Sequence, residues 1–233
     1  MKITVIGSGS SGNCYLIDDG HSKIMLECGL PIKKIERGCD YHLSSVSGCL
    51  VTHEHGDHIK SANDLMLRGV TVWMTEGTAK AYHASAYRLK LFQHTNGDGY
   101  FSQQIGSFCV LPFKTHHDAA EPVGFLLHSG DTNERLLYVT DTPYIDYKIG
   151  RLDYAMVEAN YSDDALEDPG NTGRKERLLR THMSIDNTLK LLKANNLKYC
   201  KHIYLIHLSR RNADAEEFVR RVEAETGVPT SAA

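Results

Sequence analysis

The sequence predicts an α/β protein, with strands in two packed sheet layers and helices outside them. Three observations carry that prediction. Segments with β patterning alternate with segments of helical period along the chain. The 233 residues, 41% apolar and 24% charged, suffice for a proper core without disulfide or metal staples. No apolar run approaches the ~18–20 residues that span a bilayer. One domain over residues 1–233 is expected.

Lys2–Ile6, Cys14–Asp18 and Lys23–Glu27 read as strands, with Asp19-Gly20 as the hairpin turn between the last two. Ser47–Thr52 is another short apolar strand. From Asp57 the period changes, since Ile59, Ala62, Leu65 and Met66 fall on one helical face, and Gly69 supplies a stop. Val70–Met74 reads as a strand and Thr75–Tyr82 as a helix. Strands are then predicted at Ser107–Lys114, Val123–His128, Glu134–Thr140 and Leu152–Glu158. A short helix at Asp163–Glu167, helices at Asn171–Arg180 and Ile185–Asn195, a strand at His202–Ile206 and a helix at Ala213–Glu225 complete the chain.

The opening Met1–Gly7 runs straight into a strand and shows no leader-peptide features. The six cysteines, at 14, 28, 39, 49, 109 and 200, include no C-x-x-C pair. Reduced, mostly buried thiols in a cytoplasmic protein are expected. The net charge of −3 divides unevenly, with −8 over residues 1–170 and +5 over residues 171–233. The basic end reads either as solvated helix faces or as a positive rim that meets a polyanion.

Gly7-Ser8-Gly9-Ser10-Ser11-Gly12 matches G-x-G-x-x-G after a strand, but a dinucleotide site needs a helix to start there. A β segment and a hairpin turn follow instead, so a mobile glycine-serine loop over a pocket is the better expectation. The stronger signal is Thr52-His53-Glu54-His55-Gly56-Asp57-His58, just past a buried strand. In extended backbone, residues two apart project to one side, so His53 and His55 can grip one ion. The chain then turns at Gly56, which places Asp57 and His58 to hold a second ion nearby. The motif is not H-E-x-x-H, because the fourth position after His53 is Asp57. Imidazole and carboxylate ligands suit zinc, and also iron or manganese. Further ligands must come from His116-His117-Asp118, Asp141, His182 and His207, which follow short strands or lie near a helix start. Each has a plainer reading: Asp141 as a turn residue before Pro143, and His207 as a core histidine.

The ordered set His53, His55, Asp57, His58, His117, Asp141 and His207 resembles the metallo-β-lactamase superfamily, and within it the YycJ/WalJ-like group of bacterial metallo-hydrolases, which includes exonucleases. Five stretches carry the narrower resemblance: Gly9–Cys14, His53–His58, His117–Phe125, Glu158–Asn160 and His207–Asn212. It implies a four-layer αββα sandwich with a two-metal site at one edge. His53, His55 and His117 would hold the first ion. Asp57, His58 and His207 would hold the second, and Asp141 would bridge both. His117 is preferred over His116 because it precedes the matching Asp-Ala-Ala-Glu-Pro run. The sequence departs from the group at Glu27, where an outer-shell Asp is usual, at Thr181, where Gly precedes the histidine, and at Tyr161, where Asn is followed by His.

The implied chemistry is hydrolysis by a metal-bridging hydroxide, with Asp57 orienting it. His182 would contact a phosphoryl oxygen or protonate the leaving group, or else be a polar residue at a helix start. The group resemblance implies a phosphodiesterase acting on nucleic acid, a DNA exonuclease foremost. Arg174, Lys175, Arg177, Arg180, Arg210 and Arg211 are the expected phosphate contacts. The alternatives are hydrolysis of a small cyclic phosphodiester or thioester, which suits the overall acidity, and a non-catalytic metal-binding module.

Overall fold

The computed structural model describes residues 1–164 and 172–233, with backbone alone at 172–174. Two compact units divide these residues. The first comprises Met1–Lys114 with Ala119–Asn133, and the second Thr115–Asp118 with Glu134–Ala233.

In the first unit, β1 (Lys2–Gly7) runs antiparallel to β2 (Cys14–Asp18), and β2 antiparallel to β3 (Lys23–Leu26). The Asp19-Gly20 turn forms as predicted, because Asp19 Oδ1 accepts from the backbone N–H groups of His21 and Ser22. The next strands, β4 (Val46–Leu50), β5 (Val72–Met74) and β6 (Leu89–Leu91), are parallel and need crossovers. Helix α1 (Ile32–Gly38) lies in the first, α2 (Gly56–Ile59) and α3 (Ala62–Leu67) in the second, and α4 (Glu76–Tyr82) in the third. Met25, Cys49, Val51, Ile59, Leu65, Met66, Val72 and Met74 pack into the core between these helices and the sheet. A separate antiparallel set follows, β7 (Gln103–Ile105), β8 (Phe108–Lys114) and β9 (Val123–Ser129).

The single helix expected from Asp57 is two short ones. The break has a cause at Ser61, whose N–H bonds the Cys28 carbonyl and whose hydroxyl bonds the Leu30 carbonyl. Both bonds draw the chain toward the loop after β3 and out of helical register. Gly69 does end α3, with φ +89°.

The second unit holds four parallel strands in the order β13-β12-β11-β10: β10 (Arg135–Val139), β11 (Tyr154–Glu158), β12 (His202–Ile206) and β13 (Thr230–Ala232). Helices α5 (Thr172–Thr181) and α6 (Ile185–Lys193) connect β11 to β12, and α7 (Ala215–Thr226) connects β12 to β13. Ser184 caps α6 and Asp214 caps α7 by accepting from Asn187 N and Glu217 N. Val139 pairs with Val157, and Glu158 with Ile206. This register brings the C-terminal ends of β10, β11 and β12 level, where crevices in parallel sheets receive ligands. The expected helix at Asp163–Glu167 lies for the most part outside the described residues. Among the described residues no helix is long and apolar enough to cross a membrane. The six cysteines are free, four of them buried and two half-buried.

Candidate metal centre

In the first unit the loop after β4 carries the histidine motif. Its backbone is held from the glycine-serine turn and from the end of β3. Asn13 N–H bonds the Asp57 carbonyl at 2.8 Å, Cys28 N–H bonds the His58 carbonyl at 2.7 Å, and Gly29 N–H bonds the Asn13 carbonyl at 2.9 Å. This close approach requires glycine at 29, since a Cβ there would sit 1.7 Å from the Asp57 carbonyl oxygen. The G-x-G-x-x-G segment is a closed turn, joined through Asn13 to the backbone of the histidine motif. It closes with a Gly12 N–H to Gly9 carbonyl bond, and Asn13 Oδ1 accepts from Gly9 N–H. No helix starts there, so the dinucleotide context is absent, as predicted.

The side chains converge, with the ring centroids of His53 and His58 4.2 Å apart and those of His53 and His55 4.7 Å apart. His53 Nε2 lies 3.1 Å from His55 Nδ1, and His58 Nε2 lies 3.5 Å from Asp57 Oδ2. Thr52 Oγ1 sits 2.9 Å from His53 Nδ1 and so orients the ring with Nε2 toward His55. Fully buried Glu27 places Oε1 3.5 Å from His58 Nδ1, and its Oε2 accepts from Thr52 N–H at 3.3 Å. The glutamate thus faces a ring nitrogen of His58 from behind, in keeping with an outer-shell role.

In the second unit, donor atoms of Asp141, Glu158, His182 and His207 lie within 4.8 Å of one another. His182 Nδ1 is 2.6 Å from Glu158 Oε1 and 3.1 Å from Asp141 Oδ1, and His207 Nδ1 is 3.3 Å and 3.5 Å from the same two oxygens. The rings of His182 and His207 stack, with centroids 5.4 Å apart. Asn160 Nδ2 donates to the His207 carbonyl at 2.8 Å and fixes that loop. Burial works against charge on both Glu158 and His182. Their mutual attraction overrides it. The Glu158 carboxyl is held below the usual glutamate range by His182 and His207, although neighbouring Asp141 opposes its charge, and His182 is pushed up to about 10 by Glu158 and Asp141. His182 therefore carries a proton at neutral pH in the ion-free chain, as counter-ion to two buried carboxylates.

Three of these strand-end residues have left-handed backbone: Glu27 at φ +63°, Asp141 at +49° and His207 at +53°. Each follows a strand directly or by one residue, and the turn swings its side chain out of the strand's alternation. Such strain costs about 1–3 kcal/mol per residue and collects at functional sites.

His117 also belongs to the second unit. Its Nδ1 lies 3.1 Å from the Thr181 carbonyl, the last residue of α5. The Thr181 side chain bonds back to the Arg177 carbonyl, and its own backbone carbonyl faces the His117 ring. His116 points elsewhere, toward Asp146 at 2.7 Å. Lys175, Arg177, Arg180, Arg210 and Arg211 are all exposed, and Arg177 is paired with Asp118. The side chain of Arg174 lies outside the described part. Glu158 was absent from the ligand set read from sequence. Its signal was positional, an acidic residue ending an apolar parallel strand much as Asp141 follows β10.

The donor chemistry fits divalent metal. Zinc–imidazole bonds of about 2.0–2.1 Å in tetrahedral geometry separate neighbouring ligand atoms by about 3.3 Å. The separations within each unit, 3.1–3.5 Å between His53 and His55, Asp57 and His58, and His207 and Asp141, bracket that value.

Comparison with known proteins settles the family. The beta-lactamase superfamily domain matches over residues 31–208. The chain belongs to the metallo-β-lactamase superfamily. It is similar to the exodeoxyribonuclease YycJ of Bacillus anthracis, 29% identical over 91% of this chain and 84% of that protein. It is also similar to the exodeoxyribonuclease WalJ of Streptococcus pneumoniae, 28% identical over 91% of this chain and 83% of that one. The metallo-beta-lactamase fold protein YhfI of Bacillus subtilis superposes with a TM-score of 0.77 over 99% of this chain and 95% of its own, at 16% identity. The fold is the α/β sandwich of this superfamily, and the protein is a metal-dependent hydrolase.

Proposed function

We propose that this hydrolase is a DNA exonuclease, with residues 1–233 acting as one catalytic domain on two divalent ions, zinc foremost. His53, His55 and His117 would hold the first ion, Asp57, His58 and His207 the second, with Asp141 shared. The observation that carries the reading is the pair of buried or half-buried donor sets, His53, His55, Asp57 and His58 on one loop, and Asp141, Glu158 and His207 at level strand ends with His182 after α5. Similarity to two exodeoxyribonucleases over nine-tenths of the chain supports the substrate.

Two such ions, when bound, supply a nucleophile at neutral pH and stabilise charge on a phosphoryl group. The chain's own residues do the rest. Asp57, 27% exposed, accepts a proton or hydrogen bond from the attacking water. His182, its Nδ1 turned toward Glu158 and Asp141, contacts a phosphoryl oxygen or donates to the leaving oxygen. Lys175, Arg177, Arg180, Arg210 and Arg211 hold phosphates of the strand by charge.

Metal analysis of the purified protein should approach two ions per chain at saturation, and His53→Ala or Asp141→Ala should lower it. The loaded protein is then offered 5′-phosphorylated DNA, RNA, a cyclic phosphodiester and a thioester side by side. Release of mononucleotides from DNA at the highest kcat/KM is expected. Full metal occupancy in both variants, or a preference for the thioester, overturns the reading.

A further inference from the structure

In the second unit a cleft of about 520 Å³ is lined by His116, His117, Asp118, Arg177, Arg180 and Thr181. Arg177 is fixed within it, since its Nε and Nη2 donate to Asp118 Oδ2 at 3.1 and 3.0 Å. Arg180 is held more loosely, 77% exposed and 3.9 Å from the Glu176 carboxylate, a pair that a phosphate can replace. The cleft thus offers guanidinium groups beside His117.

His116 belongs both to this cleft and to an aromatic pair. Its backbone N–H donates to Thr142 Oγ1 at 3.0 Å, Thr142 Oγ1 donates to the Tyr144 carbonyl at 2.6 Å, and its ring Nε2 meets Asp146 at 2.7 Å. The Tyr144 ring lies on the His116 ring with centroids 4.5 Å apart, tilted by 34°. Yet Tyr144 remains 51% exposed. A large ring anchored on one side and open on the other is pre-organised, so stacking a partner on it costs little side-chain entropy. Basic groups and an exposed stack, joined through His116, match the two parts of a nucleotide. A base inside a duplex has both faces covered, so away from the duplex ends only an unpaired base can use such a ring.

We infer that the His116–Tyr144 pair and the adjoining cleft take one unpaired nucleotide of a single DNA strand, its base on the rings and its phosphate on Arg177 and Arg180. The inference deepens the exonuclease reading and rests on it for the identity of the polymer. It makes Tyr144 a binding residue that the motif pattern does not contain.

The test uses the full chain with Asp57→Asn in every arm, so that DNA is bound and not digested. Single strands carry 2-aminopurine at one of the first three positions from either end, and its quenching reports stacking. Quenching is expected at one position. Tyr144→Leu should abolish it and weaken binding about five-fold or more, while Tyr144→Phe keeps both. Arg180→Gln should keep the quenching and reduce the slope of log affinity against log salt by ~0.7. A duplex closed by a hairpin loop at each end should bind with the same affinity in the Tyr144 and Tyr144→Leu arms. Equal affinity and quenching of the single strand in Tyr144→Leu, or an equal loss of duplex affinity in that variant, overturns the inference. The two readings fail separately. Digestion of DNA by the unmodified protein together with unchanged binding in Tyr144→Leu removes the nucleotide site alone. Loss of quenching in Tyr144→Leu without any digestion by the unmodified protein keeps the site and removes the exonuclease.

Discussion

The two donor sets are built by different means. In the first unit, His53, His55, Asp57 and His58 come from one loop, held chiefly through its backbone: N–H groups of Asn13 and Cys28 on its carbonyls, Gly29 pressed against Asp57, and the Glu27 carboxylate as the charged contact beside them. In the second, Asp141, Glu158, His182 and His207 come from four separate places and are held by charge, an imidazolium between two buried carboxylates. A loop set by shape should fail when atoms are added. A cluster set by charge should fail when charge is removed.

The largest effect expected is therefore at Gly29. Gly29→Ala forces the Asp57 backbone to move and should destabilise the protein by ~3 kcal/mol or more, with loss of metal uptake. Gly97, where a Cβ would meet nothing within 4 Å, serves as the comparison. Gly97→Ala should stay within about 0.5 kcal/mol in the same thermal or denaturant titration. A mild Gly29→Ala would mean that the loop is not set by shape.

The next effect sharpens the contrast. Glu158→Gln keeps the volume and removes the charge that His182 answers, and should weaken zinc binding about 10- to 100-fold in a chelator competition. Thr52→Val removes one neutral hydrogen bond to His53 and should cost about 1 kcal/mol, or roughly five-fold. Equal losses would erase the distinction between the two halves.

The smallest effect comes from a carboxylate away from both sets. Asp19 accepts from the hydroxyls of Ser107 and Ser129, both at 2.6 Å, and from two backbone N–H groups. Burial alone would raise its pKa, but these donors bring it down to about 2. A depressed carboxylate stabilises the fold above its unfolded value of ~3.9, and that stability is lost as pH falls from about 4 toward 2. Asp19→Asn should flatten that part of the acid titration and leave metal binding alone. An unchanged acid slope would show that Asp19 contributes nothing there.

The contrast also explains what the sequence disclosed. Strands Cys14–Asp18 and His202–Ile206 stand where their patterning placed them, because each is a continuous β-patterned run with clear boundaries. Strands β6, β7 and β13 give no such signal, since Leu89–Leu91, Gln103–Ile105 and Thr230–Ala232 are three residues each and lack the apolar run that marks the equally short β5. Helix α1 also escaped, with Ile35 its one buried side chain. The same logic governs the site. His53 to His58 announce themselves by spacing, whereas Asp141, His182 and His207 were legible as ligand types near strand ends or a helix start and gained roles only through the superfamily pattern. Glu158 stayed hidden because nothing local separates a charge partner from any other glutamate closing a strand. The break at Ser61 depends on bonds to residues some thirty positions earlier, which no local window contains.

The left-handed turns at Glu27, Asp141 and His207 set a conflict between endurance and activity. At each, glycine would relieve backbone strain of about 1–2 kcal/mol, and asparagine part of it, while deleting a carboxylate or an imidazole. A population of variants selected for heat resistance alone has most reason to accept asparagine at Asp141, where the change also removes a like charge beside Glu158. Selection that also demands bound metal should hold all three residues fixed, so the two regimes should diverge first at the ends of these strands.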